Sequence, residues 1–143
     1  MASLKQKGDL AEMLVAADLV RRGYKVAIPF GEDWDYDLIV ERRGRLERVQ
    51  VKYTESNGSV ICVRARTHSL TNGRVIAVKR YTAAMIDWLA VYDRTSDRCY
   101  YIRADLLGDG MNSVSLRLAP ARNRQRKGVR LAADYLELEV PSS

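Results

Sequence analysis

The stretch Tyr36-Asp37-Leu38-Ile39-Val40-Glu41-Arg42-Arg43-Gly44-Arg45-Leu46-Glu47-Arg48-Val49-Gln50-Val51-Lys52-Tyr53 decides how this chain folds. Leu38-Ile39-Val40 is a short apolar run, Arg43-Gly44-Arg45 supplies a tight turn, and Leu46 to Tyr53 returns with the alternation of a strand. Side chains alternate across a strand, so Gln50 and Lys52 share one face while Val49 and Val51 take the other. A hairpin closing at Gly44 brings the start of its first strand beside the end of its second. Asp37 therefore comes to lie near Gln50 and Lys52, 13 and 15 residues further along the chain.

Upstream, Leu4 to Gly23 reads as a helix: Leu10, Met13, Leu14, Ala17 and Leu19 or Val20 recur at three- and four-residue spacing, with Gly23 as the stop. Lys25 to Pro29 reads as a short strand, followed by the turn-rich Gly31 to Asp35. Downstream, Asn57-Gly58 signals a hairpin leading into the strand Val60 to Val63. Asn72-Gly73 marks another turn, and Ala83 to Met85 a single helical turn. Trp88 to Tyr92 and Cys99 to Ile102 form a second hairpin across Asp93 to Arg98, with a helical turn at Ala104 to Leu107. A loop follows Pro120, and Leu131 to Leu138 fits strand or helix equally. The expected class is α/β: a central mixed β-sheet flanked by helical segments, with added β-hairpins.

At 143 residues the chain is expected to form one domain, with a core over about 1–63 and hairpin and basic elements over about 64–143. No run approaches the roughly 20 apolar residues a membrane span needs. The N-terminal run leads into a charged helix and does not read as a signal peptide. Cys62 and Cys99 fit no metal spacing and are expected as buried free thiols in a reducing cytoplasm. The net charge is +6, and its placement is informative. Arg117, Arg122, Arg124, Arg126, Lys127 and Arg130 fall between Met111 and Ala133, where there is no acid. Removing those six from the 24 basic residues leaves 18, balanced by 18 acidic ones. A local excess of this kind suits a polyanion as well as it suits a solvated loop.

Glu12 on the first helix can add a second carboxylate to Asp37, and the resulting cluster suits metal-assisted phosphodiester hydrolysis. Mg²⁺ takes oxygen ligands, commonly one or two carboxylates, with water and phosphate oxygens completing the shell. Asp37 and Glu12 would be ligands, and Gln50 a neutral oxygen ligand or water-positioner. Lys52 would orient the attacking water or neutralise developing charge. Singly, each residue has an ordinary role in a turn, a helix terminus or a solvated strand end. Together in one hairpin, their order and spacing favour the chemistry.

Lys7-Gly8-Asp9-Leu10-Ala11-Glu12, Arg22-Gly23-Tyr24, Pro29, Tyr36-Asp37-Leu38-Ile39-Val40 and Val49-Gln50-Val51-Lys52 resemble the PD-(D/E)XK nuclease superfamily, and within it the bacterial group I intron homing endonucleases of that type. Trp88 to Ile102 and the tail Arg122 to Gly128 belong to the same resemblance. It implies a restriction-endonuclease-like core, divalent-metal cleavage of double-stranded DNA, and assembly of a homodimer or homotetramer. It carries the catalytic and metal roles onto Glu12, Asp37 and Lys52. Gln50 replaces the superfamily's second acid and is typical of the homing branch; it leaves the site one negative charge short.

The resulting expectation is a Mg²⁺-dependent, site-specific double-strand endonuclease, with Mn²⁺ able to substitute. The alternatives are a structure-selective nuclease of the Holliday-junction resolvase kind and a catalytically inactive DNA-binding module on the same fold. Arg64, Arg66, Arg74, Lys79 and Arg80 are candidates for a DNA-facing ribbon or loop, as are Arg122, Arg124, Arg126 and Lys127 in the tail. His68 reads as a surface residue, Tyr53 and Tyr81 as packing with a possible reach to phosphate, and Trp34 and Trp88 as buried.

Overall fold

The computed structural model describes residues 2–71, 74–119 and 129–139, with residues 67–77 described by backbone alone. Helix α1 spans Leu4–Arg21. Its start is fixed by a capping box: Ser3 Oγ accepts from the Gln6 N–H at 3.1 Å, and the Ser3 N–H donates to Gln6 Oε1 at 2.8 Å. Its end closes on Gly23 at φ +93°, where the Gly23 N–H reaches Val20 O and the Tyr24 N–H reaches Leu19 O, both at 3.0 Å. The helix is where the periodicity placed it, and its buried face is partly so: Leu19 is buried and Leu14 packs against the core. Ala11, Val15 and Leu19 are buried, whereas Leu10, Met13 and Val20 are exposed. The line of contact runs through Ala11, Val15 and Leu19, the small and β-branched residues letting the helix lie close to the sheet, while Leu10 and Met13 face out.

Strands β1 (Lys25–Ala27), β2 (Leu38–Arg42), β3 (Arg45–Thr54), β7 (Trp88–Asp93) and β8 (Arg98–Arg103) form a five-stranded sheet in the order β1-β2-β3-β7-β8. β3 and β7 are parallel; the other neighbours are antiparallel, so the sheet is mixed. The β2–β3 hairpin turns on Arg43 (φ 54°) and Gly44 (φ 76°), the two positive-φ positions of a turn whose twist matches its strands. Its register runs from Arg42↔Arg45 to Leu38↔Val49. The sheet thus draws its last two strands from 88–103, beyond the segment read as the core.

Both faces of the sheet are covered. On one, Ala11, Val15 and Leu19 pack with Leu38, Val40, Val49, Val51, Trp88, Ala90 and Tyr101. On the other, Leu89, Val91, Tyr100 and Ile102 meet Ile61, Val63, Val114 and Leu116. The latter four come from β4 (Val60–Arg64) and β9 (Ser113–Arg117), which pair antiparallel. All of β7 is buried, as expected of a central strand covered on both sides. β5 (Arg66–Thr71) and β6 (Arg74–Arg80) make a separate hairpin around the expected turn at Asn72-Gly73, which itself lies outside the described residues.

Several expectations are corrected. Asn57-Gly58 does turn the chain: Asn57 Oδ1 accepts from the N–H groups of Ser59 and Val60, and Gly58 has φ 88°. It does not make a β3–β4 hairpin, because β4 leaves the sheet to pair with β9. Cys62 is exposed on β4 while Cys99 is buried, and both are free. Trp34 is half exposed, unlike the fully buried Trp88. Ala104–Leu107 is a short 3-10 turn as expected, and the ambiguous C-terminal run holds another at Ala132–Tyr135.

Candidate active site

Asp37 immediately precedes β2 and is tied to β3 twice. Its N–H donates to Val49 O, and its Oδ2 accepts from the Val51 N–H, both at 2.9 Å. One step beyond the Leu38↔Val49 pair, it lies opposite Gln50. Gln50 is buried, and its Nε2 makes a long 3.4 Å bond to Val51 O.

Glu12 follows the buried Ala11 on α1, and its carboxyl shares one cavity with that of Asp37. Burial, then the charge and proximity of Asp37, push the Glu12 pKa up from 4.5 to about 7, with Asp9 adding to the effect and Lys5 opposing it. The two carboxyl groups line a shallow cavity of about 270 Å³ with Ile28, Pro29, Gly31, Glu32, Asp33, Trp34 and Tyr36.

Lys52 is half-buried, and its Nζ donates to Arg66 O at 3.3 Å and stands 5.3 Å from the centre of the Tyr81 ring. Burial pulls its pKa down; the nearby Asp37 charge opposes that and Arg64 adds to it. It opens on a groove of about 470 Å³ lined by Tyr53 to Asn57, Val60, Cys62 and Arg64. The site is therefore built from the start of β2, the end of β3 and one turn of α1. Glu12 and Asp37 share one cavity, and Lys52 lies near enough for Asp37 to act on its charge, whereas Gln50 does not line that cavity.

The basic candidates divide. Arg64 is exposed at the groove. Arg66 is half-buried, with a buried Nε that has no hydrogen-bond partner. Lys79 pairs with Asp35 at 2.6 Å, and Arg80 Nε bonds Asn112 Oδ1 at 3.0 Å, so both are already engaged within the chain. The side chain of Arg74 and all of Arg122, Arg124, Arg126 and Lys127 lie outside what the structure describes. What sequence reasoning missed is the wall over the acid pair. The segment 28–36 lines the cavity, and its only sequence signal was an aromatic residue set in a turn bounded by proline and glycine.

A helix laid across a mixed sheet, with an acid, an amide and a lysine gathered where two of its strands meet, is the architecture of a restriction-endonuclease-like nuclease. The chain belongs to the PD-(D/E)XK endonuclease family, whose model matches residues 2–138. Its structure is similar to that of the bacterial homing endonuclease I-Ssp6803I, with a TM-score of 0.69 and 29% identity, covering 88% of this chain and 84% of the other. Among curated proteins, no sequence matches it significantly.

Proposed function

We propose that the chain is a Mg²⁺-dependent, site-specific double-strand DNA endonuclease of the homing type, working as a homo-oligomer. The observation that carries this reading is the pair of carboxyl groups, Glu12 and Asp37, lining one cavity, with the Lys52 ammonium close enough to feel the Asp37 charge. The similarity to a homing endonuclease supports the finer assignment.

The donor set fits a divalent cation. Among the described residues no cluster of three or more His, Cys, Asp or Glu could hold a metal. Two carboxylates lining one cavity nevertheless suit a hard ion that keeps water and phosphate oxygens in its shell. Two acids pressed together raise the proton affinity of Glu12, a strain that a cation relieves as a proton does. When bound, such an ion supplies Lewis acidity toward water and the phosphoryl oxygens.

The chain's own residues do the rest. Asp37, fixed by its bond from the Val51 N–H, and Glu12, carried on α1, hold the ion. Gln50 offers Oε1 without adding charge. Lys52 presents a cation from a partly desolvated position, where its field on a phosphoryl group is stronger than in water. Arg64, Arg66 and Arg74 and the arginine-rich tail grip phosphates; Lys79 and Arg80 join them only by giving up Asp35 and Asn112. Cutting both strands takes two active sites, which one small domain supplies by self-association.

The test is cleavage of a pooled, randomised duplex library with Mg²⁺ by the intact protein and by Lys52→Ala. Recurrent cutting at a near-palindromic sequence by the first alone supports the reading. Preference for four-way junctions of any sequence would make the chain a resolvase-like enzyme. Tight binding without cleavage by either protein would leave a DNA-binding module.

A further inference from the structure

The loop over the acid pair carries an exposed apolar tip. Phe30, the chain's only phenylalanine, is 96% exposed, Ile28 76% and Trp34 49%. Scattered exposed apolar residues are ordinary. Here three adjoin one another in a loop that its own contacts hold in shape. Trp34 Nε1 donates to Phe30 O at 2.9 Å, the Trp34 and Tyr36 rings meet edge-on at 5.4 Å, and Asp35 is tied to Lys79 on β6. Gly31 at φ 92° and Asp33 at φ 64° set the bend that projects Phe30. Ile28, Pro29, Gly31 and Trp34 line the same cavity as Glu12 and Asp37, and Phe30 projects from between Pro29 and Gly31 at its rim.

We propose that this tip is a base-contacting wedge, in which Phe30, backed by Ile28, stacks on or between nucleobases next to the phosphodiester held at Glu12 and Asp37. The inference rests on the nuclease reading and adds to it how the site seats its substrate. Charge favours bases over backbone: from Val26 to Glu41 there is no Lys or Arg, and Glu32 and Asp33 repel phosphates, while Asp35 is neutralised by Lys79. Area favours a nucleobase over a second copy of the chain. A stable protein interface buries about 800 Å² per partner, more than three side chains on a narrow loop offer, whereas one ring is enough to stack on a base. Apolar side chains inserted between base steps are an established way of seating a duplex, and a loop already held in shape loses little entropy in doing so.

The experiment uses the duplex recovered from library cleavage, with 2-aminopurine at the base step adjoining the cut. In the Lys52→Ala background, binding should raise 2-aminopurine fluorescence as the step unstacks, and adding Phe30→Ala should abolish the rise. In the active protein, Phe30→Ala should lower kcat/KM by about tenfold or more, while Phe30→Trp retains it and the melting temperature stays unchanged. Cleavage by Phe30→Ala at the intact rate overturns the proposal and leaves the nuclease reading standing. So does an unchanged fluorescence rise, or a change in sedimenting mass, which would assign the tip to contact between copies. If the intact protein cuts no duplex at all, the nuclease reading fails first and takes the wedge with it.

Discussion

Replacing Glu12 by Gln should stabilise the metal-free protein above neutral pH and leave it unchanged in acid. The folded state holds the Glu12 proton up to about pH 7, against 4.5 for the free side chain, because the group is half-buried and lies against Asp37. A folded state that binds a proton more tightly than the unfolded one loses stability as pH rises between those two values. Below about 4.5 the carboxyl is neutral in both states and there is no penalty; above about 7 the penalty is complete. At face value a shift of that size is worth about 3 kcal/mol, at about 1.4 kcal/mol per unit. Glu12 is only half-buried, and solvent screening reduces this to roughly 1 kcal/mol. For a chain of this length that corresponds to about 3 °C in melting temperature. Calorimetry in EDTA from pH 4 to pH 9 should show the two proteins melting together at pH 4 and Glu12→Gln melting higher at pH 8. Added Mg²⁺ at pH 8 should raise the intact protein's melting temperature more than the variant's, since only a ligand of the folded state stabilises it. A variant less stable than the parent at pH 8, or a difference that ignores pH, would refute the strained acid pair.

Asp93→Ala should cost about 3 kcal/mol in urea unfolding. The carboxylate is fully buried and accepts from Thr54 Oγ1, from the Ser56 N–H and Oγ, and from the Ser96 N–H and Oγ, all within 3.0 Å, donors that would be stranded. Ala11→Leu should destabilise by about 1–3 kcal/mol through overpacking of α1 on the sheet, whereas Met13→Lys should stay within about 0.5 kcal/mol; the reverse order would restore the helix face first read from the periodicity. A maleimide should label Cys62 in the native protein within minutes and Cys99 only on unfolding, since burial also pushes the Cys99 thiol up to about 12; equal labelling of both thiols would contradict the packing of β8.

The parts of the fold legible in the sequence are those settled locally. The β2–β3 hairpin follows from a two-residue turn and alternation along one strand, and the helix from its cap, its period and Gly23. The placement of Asp37 shares that legibility, because Asp37, Gln50 and Lys52 belong to one hairpin, in which Asp37 is bonded to Val49 and Val51 of β3. What could not be read depends on distant partners. Val60 pairs with Arg117, so the local turn signal at Asn57-Gly58 was correct about the bend and wrong about the strand's partner. The buried face of α1 is decided by what the sheet below accepts, and hydrophobicity alone pointed to the larger side chains. Lys79 and Arg80 looked like free cations because Asp35 and Asn112, 44 and 32 residues away, are invisible from their neighbourhood.

The same division explains why this fold can keep a strained site. The acid pair disfavours folding on its own, and the Lys52 ammonium is held where burial opposes its charge. Neither group could hold its position on a mobile loop. Asp37 is held by two hydrogen bonds to β3, Glu12 by the buried neighbour that presses α1 onto the sheet, and Lys52 by a backbone carbonyl and an aromatic ring. The supports of Asp37 and Glu12 belong to elements packed into the core, so relaxing that pair would mean pulling α1 away from buried Val49 and Val51 or β3 away from buried Trp88 and Ala90. Residues 28–35 have no such anchor beyond Trp34, Tyr36 and Lys79. The carboxyl groups are thus fixed by the cores, and the loop above them is shaped by its own contacts and one ion pair to β6. That suits one part of a site to chemistry that tolerates little displacement and the other to seating a deformable substrate.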